Sequence, residues 1–320
     1  MNLIALLIGL IIERLATRIF HLRRMRWLDR LIDAGFRAAR GFANWPALIP
    51  VILLALLLAL PVFIVTFVLA DMDALLGFPY LFLAIIVLFF SLGPKDIGED
   101  VTEYCQALEA GDEEAVQHRA KALIESDVPS DALECMRSVE SAVFVQANNR
   151  LFAVIFWFVV LGPLGPLGAW AYRVTDLIRR RAVFNAARAN EGPEQGEGDD
   201  HEASDGNAAR IRDAAVMLHG WLAWIPARLT AIGYAVAGHF DGALAAWRAP
   251  KDQAPASTSE GSERLLARVG IGAMALADID DEDIAERGVR GASAANKLVF
   301  RLLLIWAVII AAMTLYGISL

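Results

Sequence analysis

Residues Pro46–Ala70 read PALIPVILLALLLALPVFIVTFVLA, 25 residues without one Asp, Glu, Lys or Arg. An α-helix rises about 1.5 Å per residue, so about 20 apolar residues cross the roughly 30 Å of hydrocarbon in a bilayer. This stretch is long enough to do so, and Pro61 predicts a kink within it. We therefore expect a transmembrane helix here.

Three further runs carry no charge: Ala74–Pro94, Leu151–Tyr172 and Leu302–Leu320. Met1–Phe20 predicts one more short or tilted membrane helix. A secretory signal carries positive charge before its apolar residues, whereas here the charged residues follow them, so we expect this segment to be retained. The 320-residue chain is 57% apolar, which excludes a soluble globular protein. The predicted fold class is an all-α, polytopic integral membrane protein. It has four to five membrane segments, one of them broken by Gly and Pro, and additional cytoplasmic helices.

The same patterns predict seven parts along the chain. They are N-terminal membrane segments with a basic amphipathic helix (1–94), a cytoplasmic helical segment (95–150), a broken membrane segment (151–190), a disordered acidic linker (191–207), apolar interfacial or membrane-packed helices (208–248), a cytoplasmic linker and helix (249–296) and a C-terminal membrane helix (297–320). The acidic linker is predicted because Glu191–Gly206 holds seven acids and no Lys or Arg, a composition that buries too little apolar surface to fold.

Arginines are concentrated near the start of the chain. Residues 1–70 hold eight Arg and three acids, whereas the remainder holds 21 basic and 34 acidic residues. The positive-inside rule places this basic segment on the cytoplasmic side. An amphipathic helix on the inner membrane surface is predicted by apolar residues at helical spacing, namely Trp27, Leu28, Leu31, Ile32 and Phe36. Flanking membrane segments and the lack of interleaved stacking aromatics argue against nucleic-acid binding.

The run Leu151–Tyr172 is broken in its middle. Leu161–Gly168 contains three Gly and two Pro, which predicts an interruption of regular helix. Arginines follow at Arg173 and Arg179–Arg181. A re-entrant or bent hairpin keeps them cytoplasmic; the alternative is a crossing here with a return through Val216–Phe240.

Capping residues predict three helices before this break. Gly111 ends the first, Asp112 begins the second, and the third begins at Asp131 with Glu134 three residues on. Nothing interrupts the third helix until Gly162, so we expect it to run from the cytoplasm into the bilayer.

Motifs for nucleotide binding, zinc hydrolysis and serine hydrolysis are absent from the sequence. The five histidines are scattered singly, which predicts no metal site, and no cofactor is predicted. Cys105 and Cys135 lie 30 residues apart, and we interpret them as reduced structural thiols.

Polar residues in apolar surroundings are the candidate site residues. Glu140 and Asn148 share a helix face near the predicted membrane entry, and Arg228 lies within an apolar stretch. Glu140 either faces solvent or faces a ligand. Arg228 either snorkels or pairs structurally, or it holds an anionic ligand.

Short motifs in a fixed order resemble the AmpE family of inner-membrane regulatory proteins linked to β-lactamase induction, and more distantly the CobD/CbiB adenosylcobinamide-phosphate synthases. The motifs are Leu7–Arg14, Tyr104–Asp112, Val139–Ser141, Phe156–Trp157, Gly165–Gly168, Ala171–Arg173 and Trp224–Thr230. The resemblance implies a multi-pass inner-membrane protein and adds Arg173 to the candidate ligand-binding residues.

Departures from the synthase pattern distinguish the two families. Where the synthases carry further carboxylates and an amide after V-E-S, this chain has Val143–Val145 and Asn148–Asn149, and His219, Gly220 and Ala223 precede its P-A-R-L-T. An ATP-dependent amide ligase needs acidic Mg²⁺ ligands. The resemblance therefore implies a non-ligase regulatory protein that acts with a cell-wall-derived small ligand or a protein partner. A CobD/CbiB-like ligase and a small-molecule transporter are the alternatives.

Overall fold

The computed structural model describes residues 26–39, 41, 45–70, 78–92, 96–124, 127–190, 199–250, 254–277 and 279–315. These residues form helices and no strands. In chain order the helices are α1 Arg26–Ala39, α2 Leu48–Ala70, α3 Phe78–Ser91, α4 Ile97–Ala110, α5 Glu113–Leu123, α6 Ala132–Ala147, a π-helical turn Asn148–Phe152, α7 Ala153–Val160, a 3₁₀ turn Gly162–Leu164, α8 Gly165–Asn190, α9 Asp199–Ala237, α10 Phe240–Arg248, α11 Thr258–Met274 and α12 Ile284–Leu315. The predicted membrane helix Met1–Phe20 lies outside the described residues.

In the part of the chain that the structure describes, three helical segments are long and apolar enough to cross a membrane, namely Leu48–Leu69, Ala132–Val160 and Ile284–Thr314, and the apolar helix Phe78–Ser91 is shorter. In the apolar 18-residue stretch of each segment, only 17% of the residues of the first and 22% of those of the third are buried by protein, against 78% in the middle one. α2 and α12 therefore present apolar side chains outward, as helices facing lipid do. The predicted all-α polytopic membrane fold is confirmed.

The middle segment is the central helix of the fold. It begins where predicted, because the Asp131 carboxylate accepts a hydrogen bond from the backbone N–H of Glu134 at 2.9 Å. It stays helical through α6, the π-helical turn and α7, which confirms the predicted continuity. Phe144, Phe152 and Phe158 are fully buried against the surrounding helices.

The chain reverses after α7 in a short turn and returns as α8. Gly165 and Gly168 make this close packing possible, because a Cβ at these positions would lie 2.4 Å from the Phe158 carbonyl oxygen and 2.5 Å from that of Trp157. The two helices are antiparallel, since Tyr172 contacts Asn149 and Arg180 contacts Gln146. The break is shorter than predicted, because helix resumes at Gly165 and Gly165–Gly168 is its first turn.

α9 is a 39-residue helix that packs on α8 and α11. It begins at Asp199, so the predicted disorder of 191–207 does not hold from that residue onward, while 191–198 lies outside the described residues. α12 likewise begins at Ile284, before the predicted start of the C-terminal membrane helix at 297. In both cases a polar segment extends an apolar helix toward its N-terminus.

The basic helix α1 forms where the periodicity predicts it. Its face of Leu28, Ile32 and Phe36 is buried against α2 and α8, whereas Trp27 and Leu31 are exposed. The apolar residues thus divide between a protein-facing and an outward-facing side.

Candidate functional site

Buried polar side chains gather where the central helix meets α8 and α9. We call this group the polar centre. It contains Gln146, Asn148, Asn149 and Arg150 of the central helix, Tyr172, Arg173, Asp176, Arg179 and the partly exposed Arg180 of α8, and His219 and Thr230 of α9. Three of the central-helix residues lie in the π-helical turn, a local widening that is frequent at functional sites.

Asp176 is the most enclosed charge of the polar centre. Its carboxylate is fully buried and accepts from Arg173 at 2.9 Å, from Arg179 at 2.9 Å and from Arg180 at 2.8 Å. These arginines stand three residues before and three and four residues after Asp176, the spacings at which helical side chains meet. His219 Nε2 lies 3.8 Å from the same carboxylate. One acid thus binds three guanidinium groups, of which those of Arg173 and Arg179 are buried and that of Arg180 is partly exposed.

Amide groups form the second layer of the polar centre. The Thr230 hydroxyl donates to Asn148 Oδ1 at 3.0 Å, and Asn148 Nδ2 donates to Asn149 Oδ1 at 3.1 Å. The Tyr172 hydroxyl also approaches Asn149 Oδ1, at 3.4 Å. Asn149 Nδ2 is buried and donates to no described residue. A buried donor of this kind calls for an acceptor, such as a ligand or water oxygen.

Arg150 connects the polar centre to the α4–α5 region. Its guanidinium donates to Asp100 of α4 at 2.9 Å, to Gln146 at 2.9 Å and to the Ala122 carbonyl at 3.1 Å. Both ions are nearly buried, with 7% and 5% of the side chains exposed. A change at the polar centre can therefore reach α4 through one hydrogen-bonded pair.

A cavity of about 500 Å³ opens beside the polar centre. Its polar lining includes Gln146, Arg179 and Glu263 on the inner side, with Glu134 and Arg137 on the α6 side. The volume is within the usual range for small-ligand sites. Charged groups of both signs face it, which suits a polar, ionised ligand.

The structure separates the four candidate residues predicted from the sequence. Asn148 and Arg173 lie in the polar centre. Glu140 instead pairs with Arg287 of α12 at 2.5 Å. The guanidinium carbon of Arg228 lies 3.8 Å from the centre of the Trp224 ring, and its Nη1 donates to the Trp224 carbonyl at 2.9 Å. Both residues line a different groove, of about 950 Å³. Glu140 and Arg228 therefore do not share one pocket.

Asp100 and Asp176 are functional candidates that sequence reasoning missed. The signal for Asp176 was present, because arginines surround it at positions −3, +3 and +4, the spacings at which helical side chains meet. Nothing in the sequence indicated the pairing of Asp100 with Arg150, since 50 residues separate them.

Within the described residues, no group of three His, Cys, Asp or Glu side chains is placed to hold a metal ion. The buried carboxylates Asp100, Glu140 and Asp176 are each bound to arginine. Cys105 and Cys135 are free, buried thiols, as predicted. Burial raises the pKa of the Cys105 thiol, which favours its unreactive, protonated form.

These observations define a class: an all-helical, polytopic membrane protein whose core encloses an arginine-rich polar centre beside a small cavity. The particular family follows from comparison with known proteins. The chain belongs to the AmpE family, because the family model described as "Regulatory signalling modulator protein AmpE" matches residues 1–320. It is thus a regulatory membrane protein, as the sequence motifs indicate.

Curated relatives come from cobalamin biosynthesis. The chain is 28% identical over 193 residues to the cobalamin biosynthesis protein CobD of Stutzerimonas stutzeri, covering 60% of this chain and 55% of that protein. It is 26% identical over 191 residues to CobD of Chromobacterium violaceum, covering 59% and 53%. The chain therefore spans about half the length of these relatives. No solved structure matches it.

Proposed function

We propose that this protein acts in the bacterial inner membrane as a regulator of β-lactamase induction that responds to products of cell-wall recycling. Membership of the AmpE family supports this role. The observation that carries it further is the pairing of the buried carboxylates with arginine. An amide ligase needs free carboxylates to hold Mg²⁺, whereas Arg137 and Arg179, which line the cavity beside the polar centre, suit recognition of an anionic group on a ligand.

The proposed signal is a rearrangement of ion pairs. An anionic, cell-wall-derived ligand in the cavity would contact Arg179, which also binds Asp176. Ligand binding would redistribute the hydrogen bonds of Gln146, and Gln146 accepts from Arg150, the partner of Asp100 on α4. A ligand shifts such an equilibrium only by its differential affinity for the two arrangements. α4 and α5 are then the elements that pass the change to a protein partner.

A ligase of cobalamin biosynthesis is the second candidate function. It is favoured by the similarity to the two CobD proteins over about 60% of this chain. The ligase would need metal-binding carboxylates, so Asp100, Glu140 and Asp176 would have to exchange arginine for a cation.

Deletion of the gene tests the proposal directly. We expect the ratio of induced to basal β-lactamase activity, measured by hydrolysis of a chromogenic β-lactam, to change in the deletion strain and to return with the wild-type gene. An Ala142→Phe variant fills the cavity, which Ala142 lines, and should fail to restore the ratio. Ala187→Phe, on an exposed surface of α8, is the matched control.

Two results would contradict this function. One is an induction ratio that does not respond to deletion. The other is rescue of a strain that lacks adenosylcobinamide-phosphate synthase, which would favour the ligase.

A further inference from the structure

A second cavity, lined mainly by basic groups, lies between α1, α8 and α9, apart from the polar centre. It has a volume of about 640 Å³, and we call it the arginine pocket. Its polar lining comprises Arg30, Asp33 and Arg37 of α1, Asn185 and Arg188 of α8, and Asn207 of α9. Its apolar lining includes Phe36, Ala182 and Ile211. We propose that this pocket binds the headgroup phosphate of an anionic phospholipid.

The charge of the pocket is positive. Its one lining acid, Asp33, is held by Arg181, whose Nε and Nη2 donate at 2.8 and 2.5 Å, and by Asn185 at 3.2 Å. Arg30, Arg37 and Arg188 are exposed at the rim. Among the described residues, these three guanidinium groups form no hydrogen bond or ion pair. They are therefore available to an anion, and arginine binds phosphate in a two-pronged geometry.

The depth of the pocket points to a lipid as the source of that phosphate. Arg210 of α9 donates to the carbonyl of Trp45 at 3.1 Å, and Trp45 lies three residues before the membrane segment that starts at Leu48. Asn207 and Ile211, which line the pocket, lie within one helical turn of Arg210. The pocket is thus level with one end of a membrane-spanning helix, where lipid headgroups lie.

Exposed aromatic and apolar side chains also lie near the end of the membrane segment where the pocket is located. Trp45 is 50% exposed, and on α1 Trp27 is 58% and Leu31 47% exposed. Tryptophan is enriched at membrane–water interfaces. The pocket also combines cationic groups at its rim with an apolar floor, which matches a phosphate joined to a glycerol and acyl chains. Basic pockets between membrane helices bind anionic headgroups in this way.

Lipid titration of the purified full-length chain in neutral detergent tests the proposal. We expect phosphatidylglycerol to raise the thermal unfolding temperature and to give bound-lipid adducts in native mass spectrometry, whereas phosphatidylcholine does so weakly. The Arg30→Gln/Arg188→Gln variant should bind phosphatidylglycerol at least about tenfold more weakly, because each basic side chain near the membrane surface contributes substantially to anionic-lipid binding. The control variant Lys121→Gln/Arg248→Gln removes the same charge from exposed positions elsewhere and should bind like wild type.

Each remaining outcome overturns the proposal. If both variants bind phosphatidylglycerol equally weakly, the lipid is attracted by net charge alone. If Arg30→Gln/Arg188→Gln binds it as tightly as wild type, the arginine pocket is not the lipid site. Inorganic phosphate that stabilises the chain as well as the lipid does would assign the pocket to a free anion. Three acids, Glu191, Glu194 and Glu197, follow α8 directly in the sequence. If their combined replacement by Gln raises the affinity for phosphatidylglycerol tenfold or more, this acidic segment and not a lipid occupies the arginine pocket in the wild-type protein.

Discussion

Asp176 shows how one side chain can organise a buried site. Its carboxylate is bound by three arginines of its own helix while fully enclosed. Burying a charge is costly unless partners replace its water, and removal of one partner leaves the others uncompensated. The carboxylate is therefore the residue on which the arrangement of the polar centre depends.

Asp176→Asn should destabilise the protein strongly. It leaves three arginines without their shared carboxylate, and losing one partner of a buried ion pair costs about 3–5 kcal/mol. Thermal unfolding in detergent, followed by circular dichroism, measures the effect. Asp213→Asn is the control, because Asp213 pairs with Arg212 with 69% of its side chain exposed, and exposed pairs contribute about 0–1 kcal/mol. Equal effects of the two substitutions would refute the structural role of Asp176.

Gly291 and Glu140 form a second pair whose coupling can be measured. A Cβ at Gly291 would lie 1.7 Å from Glu140 Oε1, so Gly291→Ala should displace the carboxylate from Arg287 and lower stability. In a Glu140→Ala background the clash with the carboxylate is gone. The Arg287 guanidinium, whose Nη1 would lie 2.5 Å from the added Cβ, is then no longer held by Glu140 and can move away. Gly291→Ala should then raise stability by up to about 1 kcal/mol through helix propensity. A double-mutant cycle, in which the unfolding free energies of wild type, both single variants and the double variant are measured, shows whether the effect of Gly291→Ala changes sign when Glu140 is absent. Additive effects would show that the two residues are not in contact.

At the scale of elements, close helix packing depends on where the chain lacks a side chain. α7 and α8 touch through Gly165 and Gly168, whose neighbours are backbone carbonyls that cannot rotate away. A flexible side chain can yield to a new methyl group, but a helix backbone moves only as a unit. The hairpin therefore requires small residues at its first turn.

Gly168→Ala should destabilise the hairpin by about 1–3 kcal/mol, because the new methyl group lies 2.5 Å from the Trp157 carbonyl oxygen and overpacking costs this much. Gly206→Ala is the matched control in another helix, since nothing lies within 4 Å of its added Cβ. It should be neutral or stabilising by up to about 1 kcal/mol. The midpoint of thermal unfolding distinguishes the two, and an unaffected Gly168→Ala protein would contradict the packing described for α7 and α8.

The docking of α1 on α8 should depend on pH. Hydrogen bonding from Arg181 holds the pKa of Asp33 below its usual value of 3.8. The stabilisation is therefore complete above the unfolded-state pKa and is lost as the pH falls through the lower, folded-state pKa. We expect the difference in unfolding temperature between wild type and Asp33→Asn to be constant from pH 7 to about 5 and to shrink below about 4. A difference that grows on acidification would have the wrong sign for this pair.

For the whole molecule, the antiparallel return of α8 along the central helix has a topological consequence. The start of α6 and the end of α8 must lie on the same side of the membrane, because the chain enters through one helix and returns through the other. This placement keeps Arg179–Arg181 on the side that carries the basic α1, as the positive-inside rule requires.

Thiol labelling in cells tests this topology. Ser130→Cys and Ala187→Cys are exposed positions before α6 and near the end of α8, and the native Cys105 and Cys135 are buried. A membrane-impermeant maleimide applied from the periplasm should label neither site in intact cells and both after permeabilisation. Labelling of only one site in intact cells would show that the hairpin crosses instead of returning.

Local patterns in the sequence determined the helical class, the apolar segments and the helix ends at Gly111 and Asp131. Caps and uncharged runs act over a few residues, so their physical effect can be read without knowing the fold. The same patterns could not place Glu140 and Arg228, because which face of an amphipathic helix meets another helix depends on residues far away in the chain.

The sequence by itself thus determined that this protein is a helical membrane protein of the AmpE family. Only the tertiary structure decided which charges meet: Asp100 with Arg150, Glu140 with Arg287, and Arg181 with Asp33. The physical reason is that desolvation forces a buried charge to find a partner, while packing of whole helices fixes which partner is within reach.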